Sequence, residues 1–171
     1  MKYLFCLLLL FTVSGCSHKT EEQLVAEGKN AEDKKDFALA VNIYTDLVSD
    51  YSASKNAELA QYKIAVIYNN EIHDVQKAIA AYRKFYFLFP KSENAPSALF
   101  LTGFLFNNEI HNVDSARLIY NIFLKLYPNH DLANSAKFEL STLGKDPDAV
   151  LHNDILSRHP ADSSTEKLGA K

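Results

Sequence analysis

Residues 69–73, Asn69-Asn70-Glu71-Ile72-His73, return 38 residues later as Asn107-Asn108-Glu109-Ile110-His111. The same offset carries Val75 onto Val113, Ala78 onto Ala116, Tyr82 onto Tyr120, Phe85 onto Phe123, Leu88 onto Leu126 and Pro90 onto Pro128. Between residues 57–94 and 95–132, 13 of 38 positions are identical, and a fixed period of this length is the mark of stacked supersecondary units. A further copy lies upstream: Ala40 and Tyr44 fall on the same register, although Ser52 stands where the later copies have proline. A second series runs Ala57, Ala95, Ala133, then Ala60, Ala98, Ala136, with aromatics at Tyr62, Phe100 and Phe138.

Each period holds two helices. Val75, Ala78, Ile79, Tyr82, Phe85, Tyr86 and Phe89 recur at spacings of three and four, one face of an amphipathic helix. Pro90 and Pro128 stop it, because proline disfavours helical geometry in the residue before it. Lys91-Ser92-Glu93 and Asn129-His130-Asp131 are expected to supply turn and N-cap chemistry for the helix that follows. Alanines mark where two helices approach closely, and a hairpin with one apolar face must stack on its neighbours. The spacing predicts helix pairs at 21–33 with 37–50, 56–70 with 75–89 and 94–108 with 113–127, then a lone helix at 131–143 ending at Gly144. The units are thus 21–52, 56–90, 94–128 and a partial 131–143. A short helix at 147–158, carrying Val150, Leu151, Ile155 and Leu156, is expected to cap the open end of a repeat domain spanning 21–158. The polar stretch 159–171 reads as a disordered tail.

These features resemble the tetratricopeptide repeat. Its small residue in the first helix is matched by Gly28, Ala65 and Gly103, and its aromatic three positions later by Tyr68 and Phe106, with Ala31 in the first unit. Its Ala–aromatic pair in the second helix is Ala40/Tyr44, Ala78/Tyr82 and Ala116/Tyr120, and its closing proline is Pro90 and Pro128. The period is longer than the family's usual one, with one extra residue at the inner turn of units two and three. Such long repeats look like those of periplasmic tetratricopeptide proteins, of the types represented by the Tol–Pal-associated coordinator and the lipoprotein of the outer-membrane β-barrel assembly machine. The resemblance implies an all-α, right-handed superhelical stack of helix hairpins. It also implies a non-catalytic scaffold that binds other proteins.

The N-terminus reads MKYLFCLLLLFTVSGC: Lys2, an apolar run from Tyr3 to Phe11, then small residues. The run is too short for a hydrocarbon core, which needs about 20 helical residues, and suits the central region of a signal peptide. Val13-Ser14-Gly15-Cys16 resembles the lipobox of bacterial lipoproteins, which implies cleavage after residue 15 and acylation of Cys16. Cysteine arithmetic agrees. Cys6 falls in the removed segment, so Cys16 has no partner for a disulfide within the mature chain. Residues 16–20 form a short tether. Ser17 in place of Asp resembles the outer-membrane-sorted class, and a periplasm-facing domain is expected. His18-Lys19-Thr20-Glu21-Glu22 also resembles a surface-export signal, which keeps the outward face open.

Composition excludes other classes. The formal charge is −3, without the basic excess of a phosphate-backbone binder, so nucleic acid is not an expected partner. There are 20 aromatics (11 Phe and 9 Tyr), no Trp and only 5 Gly, a balance that suits packed helices. No Gly-x-Ser-x-Gly, His-Glu-x-x-His or phosphate-cradling glycine loop occurs. No catalytic residue and no cofactor are therefore expected.

Candidate partner-binding residues are Lys63, Ile67, Asn70 and Glu71 in unit two, with Leu101, Leu105, Asn108 and Glu109 at matching places in unit three. The segment from Ala98 to Phe106 is apolar almost all round, as suits a central helix of the stack buried on more than one side. In the alternative reading Leu101 and Leu105, which match Lys63 and Ile67, line a groove-facing side that receives a partner. Phe87 is a further candidate because its counterparts, Ser49 and Lys125, are polar. Expected partners are other envelope proteins and, through the anchor, a membrane, with self-association through open repeat ends or Phe87 as an alternative. The duplicated Glu-Ile-His brings His73 and His111 forward as candidate metal ligands. Unit one has Asp33-Lys34-Lys35-Asp36 at that turn, which argues for a turn copied by duplication.

Overall fold

A computed structural model of the chain describes residues 18–145. The expected signal segment 1–15, Cys16, the expected cap helix at 147–158 and the expected tail 159–171 lie outside the described residues. Among the described residues there are seven α-helices and no strand: α1 (Glu21–Asp33), α2 (Phe37–Asp50), α3 (Lys55–Asn70), α4 (Val75–Leu88), α5 (Ala95–Asn108), α6 (Val113–Leu126) and α7 (Ala133–Thr142). Each packs chiefly on the helix before and after it, as expected of a quasi-one-dimensional repeat stack. The fold is all-α.

Two kinds of turn alternate. The inner turns join α1 to α2, α3 to α4 and α5 to α6. Each passes through one residue in the left-handed region, Lys35 at φ 58°, His73 at 58° and His111 at 57°. Asp36, Asp74 and Asn112 follow as N-caps, accepting the amides of Leu39, Lys77 and Ser115 at 3.1, 3.0 and 2.9 Å. The loop-closing bond runs from the Asp36 amide to the Ala31 carbonyl in unit one. In units two and three it spans one residue more, from Asp74 to Tyr68 and from Asn112 to Phe106. The extra residue in the long repeat therefore sits at this turn.

The outer turns join one unit to the next. Tyr51, Phe89 and Tyr127 end the second helices with nearly the same backbone, φ −125° to −129°. Unit one does so with Ser52 after it instead of proline, so proline reinforces this exit without being required for it. The expected N-caps at 91–93 and 129–131 need correction. The cap residues of α5 and α7 are Asn94 and Leu132, and neither makes a side-chain cap bond. Ser92 and His130 act one turn earlier. Their carbonyls accept the amides of Ala95 and Ala133, and their side chains accept those of Asn94 and Leu132.

The core is a set of equivalent rungs. In unit two Tyr62 of α3 meets Tyr82 and Phe85 of α4, ring centroids 5.8 and 5.1 Å apart. In unit three Phe100 meets Tyr120 and Phe123 at 5.6 and 5.9 Å. Tyr44, Tyr82 and Tyr120 press against the small residue of the first helix. A Cβ on Gly28 would lie 2.4 Å from the Tyr44 ring, and one on Gly103 2.9 Å from Tyr120. Phe138 of α7 holds the place of Tyr62 and Phe100 but is 60% exposed, because among the described residues no second helix covers it.

Candidate interaction groove

Unit one departs from the aromatic rung, and the departure opens a groove. Val25 stands where units two and three have Tyr62 and Phe100, and Leu47 where they have Phe85 and Phe123. The space those rings fill elsewhere is left as a cavity of about 370 Å³ between α1 and α3. Val25, Tyr44, Leu47, Leu59 and Ala60 line it, and Lys29, Glu32, Asp33, Asn56 and Lys63 add polar and charged groups. Leu59 is 46% exposed, so the cleft offers apolar surface to an incoming side chain. Such a mix, an apolar lining with a few placed polar groups, is typical of recognition sites.

One charged bridge spans the cleft. Lys63 of α3 donates to both carboxylate oxygens of Glu32 of α1, at 2.7 and 2.9 Å, and its ammonium sits 5.7 Å from the centre of the Tyr44 ring. The Tyr44 hydroxyl donates to the same carboxylate. Burial first, and that hydrogen bond second, push the Tyr44 phenol far above its ordinary pKa, so it remains a donor at all physiological pH. The equivalent position pairs Asn107 with Glu139 at 3.1 Å between α5 and α7. Between α3 and α5 it holds Asn69 and Leu101, so the polar bridge lapses and Leu101 packs, partly buried, against the core.

The candidate residues do not form one surface. Lys63 lines the groove, and Asn70, Glu71, Asn108 and Glu109 are exposed at the C-terminal ends of α3 and α5. Ile67 and Leu105 are only 3% and 4% exposed and belong to the core, which corrects their reading as groove-facing. Four residues along an α-helix advance about 400° at 3.6 residues per turn. A side chain four positions beyond Lys63 or Leu101 is therefore rotated by about 40°, here into the hairpin. The outward-facing stripe runs through the exposed Leu59, Lys63 and Asn70 on α3, with Val66 partly buried among them. On α5 it runs through Leu101, Phe104 and Asn108, with Phe104 37% exposed. Leu59 and Phe104 were missed by the sequence reading, and spacings of three and four from Lys63 and Leu101 would have found them. Phe87 stands apart on α4, 81% exposed in the last turn.

His73 and His111 take the left-handed position of the inner turn, as Lys35 does in unit one, so the turn geometry is common to all three units. Among the described residues no three His, Cys, Asp or Glu side chains converge as a metal site.

Comparison with solved structures supports the architecture. The chain is similar to the tetratricopeptide-repeat domain of Arabidopsis OM64, at 20% identity and a TM-score of 0.51, over 71% of this chain and 94% of that one. No curated protein sequence matches the chain. A family model described as YfiO, outer membrane lipoprotein, matches residues 17–146, a span holding all seven helices and beginning one residue after Cys16. The chain, a tetratricopeptide-like stack by its fold, belongs to the YfiO family of outer-membrane lipoproteins.

Proposed function

We propose that the protein is a non-catalytic scaffold of the cell envelope, held by acylated Cys16 on the periplasmic side of the outer membrane. In this reading it receives a segment of another envelope protein in the groove between α1 and α3. The observation that carries it is the cavity at unit one, opened where Val25 and Leu47 replace the aromatic residues of the other two rungs. A partner segment that inserts an apolar side chain between Val25, Leu47 and Leu59 gains buried area, at about 25 cal/mol per Å². Polar groups on the same segment meet Lys29, Asp33 and the Glu32–Lys63 bridge. The exposed apolar stripe continues along α5 through Phe104, so a longer segment has a path across the first helices. The same reading assigns residues 147–158 as the segment that covers Phe138.

Val25→Phe tests this directly. It installs the kind of side chain that units two and three carry at that position, so the helix stack should keep its melting temperature. The ring fills the cleft, and the partner that co-purifies with the wild-type chain from crosslinked envelopes should be lost. Retention of that partner by folded Val25→Phe protein sinks the groove as the binding site.

A further inference from the structure

The short connection between the anchor and α1 fixes which side of the stack meets the bilayer. Residues 18 and 19 dock on the C-terminal end of α2. The Tyr51 hydroxyl donates to the Lys19 carbonyl at 2.7 Å, and the His18 Nε2 lies 3.2 Å from the Asp50 carboxylate. One residue, Ser17, separates Cys16 from His18, so the two Cα atoms are at most about 7 Å apart. In an antiparallel stack the N-terminus of α1 lies on the edge that also carries the outer turns and the last turns of α2, α4 and α6. The α1–α2 corner of that edge therefore lies beside the acyl chains, and the rest of the edge extends from it.

Its chemistry differs from that of the opposite edge. The outer-turn edge shows Phe87, the most exposed large apolar residue among those described, with Leu88 beside it and Leu126 one unit further along. Lys84, three residues before Phe87, is exposed, as are Lys91 and Lys125. None of the three makes an ion pair among the described residues, where every salt bridge uses other groups. The exposed acids of this edge are Glu22, Asp46 and Asp50 in unit one and Glu93 and Asp131 in the later turns, so the lysines beside Phe87 form a local basic patch and not a basic edge. The inner-turn edge carries Asp33, Asp36, Glu71, Asp74 and Glu109 beside Lys34, Lys35 and Lys77, the last of these paired with Asp74 at 3.0 Å. An aromatic flanked by lysines suits the headgroup region of an anionic membrane, where apolar groups settle about 5–10 Å below the surface and basic residues gain from the surface potential.

We propose that Phe87, with Lys84, Lys91 and Lys125, forms a second membrane contact. It holds the outer-turn edge against the anionic leaflet that carries the anchor, and so fixes how the groove is presented. The inference rests on the reading of Cys16 as the lipid anchor. Once that anchor confines the chain to the surface, the patch needs only to choose an orientation, so little added affinity is required of it.

The test uses the full lipidated chain in vesicles of phosphatidylethanolamine and phosphatidylglycerol. With Cys16 acylated, Phe87→Cys introduces the one free thiol of the mature chain, and Ile72→Cys gives a control on the inner-turn edge. An environment-sensitive fluorophore at position 87 should shift to the blue and lose intensity to brominated acyl chains. The same fluorophore at position 72 should show neither change. Adding Lys84→Glu and Lys91→Glu should reduce the shift at 87, as should replacing the phosphatidylglycerol by phosphatidylcholine. Protein that floats with the vesicles while position 87 stays as wet as position 72 overturns the proposal and leaves the anchor standing. A shift at 87 that appears only when other envelope proteins are added also overturns it, assigning the patch to a protein partner. Failure to float removes the anchor and the proposal together.

Discussion

Single residues carry much of the difference between the units. Gln61 is the clearest case, 1% exposed at a position where unit one has Leu24 and unit three Leu99. Its amide nitrogen reaches the Ala81 carbonyl at 3.2 Å, but its buried side-chain oxygen has no hydrogen-bond partner among the described residues. A buried acceptor left unpaired costs about 1–3 kcal/mol. Gln61→Leu, which restores the residue of the neighbouring rungs, should therefore stabilise the protein by about 1 kcal/mol on this basis. Urea denaturation of the two proteins measures it, and a loss of stability would show that Gln61 is better satisfied than its environment suggests. Gly28 and Gly103 make the complementary point. Their lack of a side chain admits Tyr44 and Tyr120, and Tyr82 meets the slightly larger Ala65 at the same place.

At the scale of the element, the inner turn is the unit's fixed joint: a left-handed residue, then Asp or Asn capping the next helix. Asp74 shows how charge enters. Its carboxylate accepts the Lys77 amide and pairs with the Lys77 ammonium at 3.0 Å. Those bonds, the backbone one first, hold its pKa below the ordinary 3.8. A group whose folded pKa is depressed contributes stability above its unfolded pKa and loses it as pH falls through the folded value. Asp74→Asn copies Asn112 of unit three and keeps the cap without the titration. Melting temperatures at pH 6 and pH 3 should thus fall further for the wild type than for Asp74→Asn. Parallel falls would remove Asp74 from the acid response.

These elements also show what the sequence could disclose. The 38-residue period, the Ala–Tyr pairs and the closing prolines placed the seven helices within about two residues of their observed ends, because helix spacing and turn residues are local properties. Side-chain direction was less legible. Ile67 and Leu105 look like groove residues by register, yet a rotation of about 40° takes them into the core. The cavity was not legible at all. It arises from two small residues, Val25 and Leu47, on separate helices that only the packing of α1 against α2 brings together.

For the whole molecule, the repeat makes the groove an exception in an otherwise regular stack. Units two and three fill their rungs with aromatic pairs, and unit one, the most N-terminal, leaves its rung open. The outer turns lie on the edge that carries the N-terminus of α1 and the inner turns on the far one, so the first-helix stripe from Leu59 to Phe104 runs across the side between them. On the proposed reading of a scaffold bound to a membrane by one end, this surface is available to a partner in the same compartment. Site-specific photo-crosslinking in intact cells tests that directly, with the photoreactive residue at Leu59 or Phe104 and, as a control, at the exposed Asn42 of α2. The account predicts one discrete crosslinked envelope protein from positions 59 and 104, absent from position 42 and lost from position 59 in the Val25→Phe background. Equal crosslinking from all three positions, or crosslinking at 59 that survives Val25→Phe, would contradict it.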